Sequence, residues 1–297
     1  MFRFALIGLI CITLQQTSDA DDKKLPLSIV FKGNTEFEKL KKNAYQNNWA
    51  GLPIGKRTIT VGKALVGTPY KSYTLEIDDH IEAPSVNLQG LDCWTFFEVS
   101  LGFARMLDDP ENQHTPQRLL HYIELDRYRG GNCDGNYLSR LHYLEDWLWD
   151  NHQRKLVKDI TKELGGVKAP VRAKEMTIGW KGYRYLKNNP ELIPELAKHE
   201  KRIEKLPTYY IPRNKVRQIE GQIQDGDIIG IFSKSVGGKI STSHVGLAYR
   251  DQDGVLRLIH ATTQKDYGRK VAIDSRLSSY INRFSHQAGI LVARPLK

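Results

Sequence analysis

The chain has 297 residues, about 40% of them hydrophobic, and a formal net charge of +10. This length and apolar content suffice to bury a substantial core, which excludes a wholly disordered chain. The charge favours an anionic partner, but basic residues between 154 and 205 alternate with acidic ones and lack interleaved aromatics, which argues against nucleic acid.

The first 20 residues have the pattern of a signal peptide. Arg3 precedes an apolar run at 4–14, and small residues follow it as far as Ala20. The run is shorter than the roughly 20 residues that a transmembrane helix needs. We therefore expect removal of residues 1–20, an exported protein in the periplasm or outside the cell, and no stable membrane insertion.

Residues 21–297 are predicted to form a single catalytic domain of the α+β class, with helices first and a mainly antiparallel sheet last. Helical patterns occur at 35–47, from residue 59, at 92–107, near 116–126 and at 137–151. The helix at 92–107 is apolar on nearly every side, which is typical of an interior helix. Residues 108–222 are predicted to be an inserted helical and basic region.

After residue 226 the pattern changes to short runs of strand-forming residues. These runs predict five strands, at 227–232, 244–249, 256–260, 270–273 and 289–294. The sheet would thus follow the helices in chain order.

Cys93 is predicted to be the first residue of the interior helix. Gly90 supplies a turn and Asp92 an N-cap directly before it. The amides at a helix amino terminus lower the pKa of a thiol, and a nearby imidazole lowers it further, so Cys93 is a candidate nucleophile. The alternative is a small buried hydrophobic residue, which is the usual role of cysteine.

His244 lies in a predicted strand in which Val245 and Leu247 point away from it. Gly246 and Ala248 share its face, and we expect their small size to leave room for the amino-terminal end of the Cys93 helix. A lone strand histidine is more often structural than catalytic.

His260 ends the next strand, and residues 251–254 have the pattern of a hairpin turn. An odd-numbered loop without a bulge would put His244 and His260 on one face, opposite or nearly opposite each other. A thiol, an imidazole and a second polar group that orients the imidazole are the parts that nucleophilic amide hydrolysis needs.

Cys133 is the other cysteine that would remain after signal-peptide removal. It could form a disulfide with Cys93, which would block catalysis, or it could have no role in the site. No cluster of cysteines or histidines has zinc-ligand spacing, so we expect neither a metal nor another cofactor.

Arg140, Tyr143 and Trp147 would form one stripe on a predicted helix, suited to a sugar or a carboxylate. The alternative is that Trp147 extends the neighbouring apolar stripe of leucines into the core. Arg140 and Tyr143 are therefore candidate substrate contacts.

Five short motifs together resemble the NlpC/P60 superfamily of cell-wall cysteine hydrolases, in that superfamily's order: Gly67–Tyr70, Asp92–Cys93, Asp225–Ile228, Ser243–Gly246 and Leu258–Ala261. Three longer segments resemble its DUF1460 branch, which is N-acetylmuramoyl-L-alanine amidase-like: Asn87–Glu98, Ser139–Trp147 and Leu277–Ile281. The resemblance covers roughly residues 57–295. It implies a papain-like core with Cys93 as nucleophile, His244 as base and His260 as the third member.

The resemblance further implies hydrolysis of the amide between N-acetylmuramic acid and L-alanine, with peptidoglycan or muropeptide fragments as the partner. Tyr70, Asp92 and Ser243 would contact the substrate. One alternative is an endopeptidase that cuts between D-glutamate and the diamino acid of the stem peptide. Another is a non-catalytic protein that binds anionic wall polymers.

Overall fold

The computed structural model describes residues 25–296, so the predicted signal peptide lies outside the described residues. The α-helices are α1 (Leu27–Val30), α2 (Asn34–Gln46), α3 (Ile54–Ala64), α4 (Cys93–Met106), α5 (Pro116–Arg127), α6 (Leu144–Gln153), α7 (Glu175–Ile178), α8 (Arg184–Asn188), α9 (Ile193–Ile203), α10 (Val216–Ile219) and α11 (Leu277–Arg283). Within this part of the chain, none is long and apolar enough to cross a membrane.

The strands are β1 (Phe31–Lys32), β2 (Val86–Asn87), β3 (Val157–Asp159), β4 (Val167–Lys168), β5 (Tyr209–Pro212), β6 (Ile228–Lys234), β7 (Ile240–Arg250), β8 (Leu256–Ala261), β9 (Val271–Arg276) and β10 (Gln287–Pro295). β1 and β2 form a small parallel pair. The main sheet has the order β4-β5-β10-β6-β7-β8-β9, and β3 also pairs with β10. Its pairings are antiparallel. The five predicted strands and the mixed, antiparallel fold are thus confirmed.

The main sheet is apolar on both faces because its central strands alternate between two cores. Ile228 and Leu247 belong to the core that contains α4, whereas Ile229 and Ala248 belong to the core that contains α11. The sheet is therefore a middle layer, with α3 and α4 on one face and α11 on the other.

Helix α4 is buried along nearly its whole length, as its apolar sequence predicts. From Thr95 to Met106 each residue is buried. At about 25 cal/mol per Å² of apolar surface removed from water, such a helix is a major source of stability. It also gives its first residue, Cys93, a rigid position at the edge of the core.

Two helices begin at other residues than the sequence pattern predicts. α2 begins at Asn34, one residue before the predicted start, and follows Gly33, whose φ of 97° is a conformation that glycine adopts readily. α3 begins at Ile54, five residues before the predicted start, directly after Pro53, whose fixed φ suits a helix start.

The helix predicted at 137–151 is wrong in its first half, because only 144–153 form α6. Arg140 has extended backbone angles and forms a bridge with Tyr128, and the Leu141 N–H donates to the Arg127 carbonyl at 2.9 Å. These contacts to the end of α5 hold the segment out of a helix.

Residues 108–222 are built into the fold by buried charges as well as by apolar contacts. Arg127 of α5 donates to Glu98 of α4 at 2.8 Å, and Arg105 of α4 pairs with Asp126 of α5. All four side chains are almost fully buried. β3, β4 and β5 of the same region join the main sheet, so its position relative to Cys93 is fixed.

Candidate active site

Cys93 is the first residue of α4 and lines a cleft of about 450 Å³. The Asp92 carboxylate accepts a hydrogen bond from the Thr95 N–H at 2.8 Å, and the Thr95 hydroxyl accepts one from the Asp92 N–H at 3.0 Å. This reciprocal capping fixes the first turn of the helix. Asp92 is thus the N-cap that the sequence predicts, and Cys93 has a fixed backbone.

The surroundings of Cys93 raise the pKa of its thiol. Cys93 keeps some exposure to the cleft, but it lies deep in the protein, and desolvation raises its pKa to about 12. The Asp92 carboxylate acts in the same direction, and hydrogen bonding from the backbone of Val245 and Trp94 only partly opposes it. The expectation of a lowered pKa is wrong, because burial outweighs the helix terminus.

His244 lies beside a β-bulge in β7. Ile231 pairs with His244 and Phe232 with Thr242, so Ser243 is an extra residue in β7. A bulge redirects the side chains next to it. His244 is partly buried and lines the same cleft as Cys93. Both residues also border a second opening of about 530 Å³, so they lie between two cavities.

His260 shares the face of His244, as the odd-loop expectation requires. Arg250 pairs with Leu256 across the five-residue loop 251–255, and the register puts His260 beside Gly246. Nε2 of His244 and Nδ1 of His260 are 2.6 Å apart, a hydrogen-bonding distance.

Gly246 makes room for His260, not for the helix. A Cβ at this position would come within 2.6 Å of the Ile259 carbonyl oxygen and 3.0 Å of the His260 Cβ. α4 packs on the opposite face of β7, where Leu247 and Phe96 meet at Gly62. The expectation that α4 would approach the face of Gly246 and Ala248 is therefore wrong.

Asp274 is the buried neighbour on the other side of His260. Its Oδ2 is 3.3 Å from Nε2 of His260, and both side chains are fully buried. Asp274 lies at a second bulge, because Ile259 pairs with Ile273 while Arg257 pairs with Arg276. The described chain thus contains a row of three side chains, His244, His260 and Asp274, that ends at the cleft of Cys93.

His244 is neutral in these surroundings. Burial lowers the pKa of His244 to about 3, His260 adds to this effect, and Asp274 opposes it. Since the pKa of Cys93 is raised, thiol and imidazole are both uncharged at neutral pH. With Nε2 directed at His260, Nδ1 of His244 is the nitrogen that can accept a proton. A neutral imidazole at this cleft has the lone pair that deprotonation of a thiol requires.

The family model for AmiA-like proteins, described as N-acetylmuramoyl-L-alanine amidase-like, matches residues 60–290. The chain belongs to the AmiA-like family.

Solved structures share this fold over most of their length. An N-acetylmuramoyl-L-alanine amidase from Bacteroides uniformis is 27% identical with a TM-score of 0.71, and the match covers 82% of this chain and 99% of that one. A candidate xylanase from Bacteroides fragilis is 32% identical with a TM-score of 0.71, over 79% and 99%. A Legionella pneumophila protein of the DUF1460 family is 19% identical, with a TM-score of 0.65 over 89% and 95%, and shows the fold alone. A comparison with curated proteins finds no match.

Three further predicted residues of this AmiA-like chain lie around Cys93. Tyr70 lines the cleft, and burial, together with the nearby Cys93 and Asp92, raises its pKa to about 12. The Ser243 hydroxyl is exposed and lies 2.6 Å from the Ser233 hydroxyl. The Asp92 carboxylate is already engaged as the helix cap, so its first role is structural.

Arg140 and Tyr143 line the cleft, although they do not share a helix with Trp147. Arg140 is 5% exposed, its Nε lies 3.3 Å from Glu82 without forming a hydrogen bond, and its guanidinium stacks over Tyr137. The Tyr143 hydroxyl donates to Glu200 at 2.6 Å. Trp147 is fully buried against Phe97, which confirms the core alternative for that residue.

Within the described residues 25–296, Cys93 and Cys133 are both free and are not joined by a disulfide. The Cys133 Sγ donates to the Glu82 carbonyl at 3.5 Å, and its backbone N–H donates to Glu124 at 2.9 Å. Burial and these acidic neighbours raise the pKa of Cys133. Among residues 25–296, no three His, Cys, Asp or Glu side chains are grouped so as to hold a metal ion.

Sequence reasoning missed several residues of the site. Asp274 stands in an alternating strand, and an acidic residue at an inward position was the available signal. Trp94, the residue after Cys93, lines the cleft together with Tyr137 and Glu76. These side chains come from three separate segments, and only the fold brings them together.

Proposed function

We propose that this AmiA-like chain is a cysteine-dependent amidase that hydrolyses the bond between the lactyl group of N-acetylmuramic acid and L-alanine. The observation that carries the proposal is the 2.6 Å contact between His244 and His260, at the cleft that Cys93 also lines. It supplies a nucleophile, a base and an orienting group. A family relationship to amidases supplies the bond class.

In the first step Nδ1 of His244 accepts the thiol proton while the Cys93 sulfur attacks the lactyl carbonyl carbon. The negative charge moves to the carbonyl oxygen, and the Cys93 backbone N–H, at the amino terminus of α4, is placed to donate to it. The neutral starting pair means that the two charges form together, inside a cleft that partly excludes water.

In the second step the His244 imidazolium gives its proton to the nitrogen of L-alanine, the C–N bond breaks, and the peptide leaves as an amine. An acyl-enzyme thioester on Cys93 remains. His244 then removes a proton from water, whose oxygen attacks the thioester carbonyl; the C–S bond breaks, the muramyl carboxylic acid leaves, and His244 returns the proton to the Cys93 sulfur. No metal or cofactor takes part.

The cleft suits a charged peptide bearing a sugar. Arg140 offers a planar guanidinium, which matches a carboxylate of the stem peptide, and Tyr143 and Tyr70 offer aromatic faces. Ser243 lies at the junction of the two cavities. We propose that these residues, with Asp92, contact the substrate.

We also propose a superfamily, a cellular location and a domain organisation for this chain. The chain would be an NlpC/P60 enzyme with a papain-like core, exported by a signal peptide at residues 1–20 and acting on peptidoglycan or muropeptides outside the cytoplasm. Residues 21–297 would be one catalytic domain that carries the region 108–222 as an insertion.

The test is to incubate the chain lacking residues 1–20 with a purified disaccharide-tetrapeptide and to identify the products by mass spectrometry. Release of the intact disaccharide and of a peptide that begins with L-alanine supports the proposal. The Cys93→Ala variant should give neither product, and Cys133→Ala serves as the matched cysteine control.

Other products would point elsewhere. Cleavage between D-glutamate and the diamino acid would replace the amidase by an endopeptidase. Cleavage of a glycosidic bond would favour the activity named for the B. fragilis relative. Binding without turnover, equal in wild type and Cys93→Ala, would leave a wall-binding protein.

A further inference from the structure

Asp274 does not line the cleft of Cys93, but its carboxylate contacts His260, which in turn contacts His244. Arg283 reaches both carboxylate oxygens of Asp274, with Nη1 donating to Oδ2 at 3.5 Å, and the other partners of the two oxygens differ. Oδ1 accepts hydrogen bonds from the Tyr267 hydroxyl at 2.6 Å, from the Ser275 N–H at 2.5 Å and from Nη2 of Arg283 at 2.6 Å. Oδ2 faces Nε2 of His260 at 3.3 Å.

We propose that Asp274 is a positioning residue that fixes the tautomers of His260 and His244; the inference rests on the proposed function. Because Oδ2 is an acceptor, Nε2 of His260 must carry the hydrogen in a neutral ring. Nδ1 of His260 is then an acceptor, so Nε2 of His244 must carry its hydrogen. Nδ1 of His244 is left with a lone pair, which is what a base for the Cys93 thiol requires.

The surroundings of Asp274 keep it an acceptor. Burial alone would raise the pKa of Asp274, but the contact with His260 and the hydrogen bonds from Tyr267, Arg283 and the Ser275 amide hold it well below its ordinary value. It therefore remains ionised while the proton moves only between Cys93, His244 and the leaving amine.

The position of Asp274 depends on the bulge in β9. Leu258 of β8 lies opposite both Asp274 and Ser275, since the register shifts by one residue between Ile273 and Arg276. His260 pairs with Ala272, so the redirected Asp274 lies diagonally across from it. The ring of Tyr280 in α11 covers His260, with a centroid separation of 5.2 Å. Among the described residues Nε2 of His260 makes no hydrogen bond of regular geometry, and its ion-pair contact is with Oδ2 of Asp274 at 3.3 Å.

Asp274→Asn is a sharp test because the three donors on Oδ1 dictate the orientation of the new amide. Its carbonyl oxygen would occupy the Oδ1 position, and its NH2 group would face Nε2 of His260. That ring would switch tautomer and donate from Nδ1 to Nε2 of His244. Nδ1 of His244 would then carry a hydrogen and could not accept the thiol proton.

The direct measurement is nitrogen-15 NMR of histidine-labelled protein at neutral pH, in the inactive Cys93→Ala background. In the otherwise wild-type chain, Nε2 of His260 should be protonated and Nδ1 should not, and Asp274→Asn should reverse this. Observing the opposite tautomer in the otherwise wild-type chain would overturn the inference even if the variant failed to fold. The readout needs no substrate, so it is independent of the proposed reaction.

The kinetic measurement is kcat on the disaccharide-peptide. Replacing aspartate by asparagine beside a catalytic histidine costs about 10⁴-fold in serine proteases; acting through one further ring, Asp274→Asn should cost at least about 100-fold in kcat with KM little changed. Asp227→Asn is the matched control, since Asp227 is also buried and bound by an arginine, Arg294, but has no histidine partner. The control should lose stability only. An equal loss of kcat in both variants, or a loss below threefold in Asp274→Asn, would reduce Asp274 to a structural residue.

Discussion

The surroundings of Cys93 and Cys133 shift the thiol pKa in the same direction but place different groups next to the sulfur. Burial and nearby carboxylates raise the pKa of both. Cys93 shares a cleft with an imidazole, whereas Cys133 donates to a backbone carbonyl of Glu82. The two sites therefore differ in whether an imidazole lines the same cavity as the thiol, and not in the direction of the thiol pKa shift.

The largest expected difference between the regions is in turnover. Cys93→Ala and His244→Ala should each lower kcat/KM by at least about 10³-fold, because members of a nucleophile-base unit are lost together. Cys133→Ala should stay within about twofold of wild type. Turnover of the disaccharide-peptide, with folding checked by circular dichroism, measures all three. Comparable losses in Cys93→Ala and Cys133→Ala would remove the distinction.

The dependence of kcat/KM on pH tests whether the Cys93 thiol and the His244 imidazole are both uncharged before the reaction. His244 must be unprotonated to act as a base, and its pKa is lowered to about 3. kcat/KM should therefore change less than twofold between pH 7 and pH 5, where an ordinary histidine with a pKa near 6.5 would cause a loss of about 30-fold.

Absorbance at 240 nm gives the complementary measurement of the thiols. A thiolate band at pH 7 that disappears in Cys93→Ala would contradict the raised pKa of Cys93. We expect the two spectra to coincide at pH 7 and to separate only at strongly alkaline pH.

Substitution of Arg140 tests whether substrate binding extends from Cys93 toward the Cys133 region. Arg140 lies between the two regions, because Arg140 and Cys133 both neighbour Glu82. Arg140→Lys keeps the charge but loses the planar fork, so KM should rise about 10-fold, equivalent to about 1.4 kcal/mol, with kcat little changed. Arg129→Lys, at an arginine that pairs with Asp146 outside this cleft, is the control. Equal KM values for both variants would remove Arg140 from the substrate contacts.

The smallest effect is expected from Cys133 on stability. Cys133→Ala removes one partly buried sulfur and its weak hydrogen bond, so the free energy of unfolding should fall by no more than about 1 kcal/mol. Urea unfolding measures it. A much larger loss would show that Cys133 is an essential part of the packing around Glu82.

The helix side of the site was predictable because its signals are local. The Asp92 cap, the apolar run and the position of Cys93 follow from consecutive residues, and the structure agrees. The sign of the Cys93 pKa shift was not predictable, since it depends on how much protein surrounds the sulfur. Arg140 was assigned to the cleft by its sequence context but to the wrong local structure, because contacts with α5 override its helical spacing.

The strand side was only partly predictable. The sequence leaves the parity of the β7–β8 loop open, and the five-residue loop that the structure shows puts His244 and His260 on the same face. The bulges at Ser243 and Asp274 leave no comparable trace in the sequence. The loop between β8 and β9 is too long to define a register, which is why Asp274 was overlooked.

The position of β10 in the sheet has a consequence for the order of folding. β10 is the last of the described strands in the chain, yet it lies inside the sheet, between β5 and β6, and pairs also with β3. Contacts of such long sequence separation form slowly. We therefore expect the sheet that carries His244 and His260 to be completed late in folding, when residues 287–295 dock between β5 and β6.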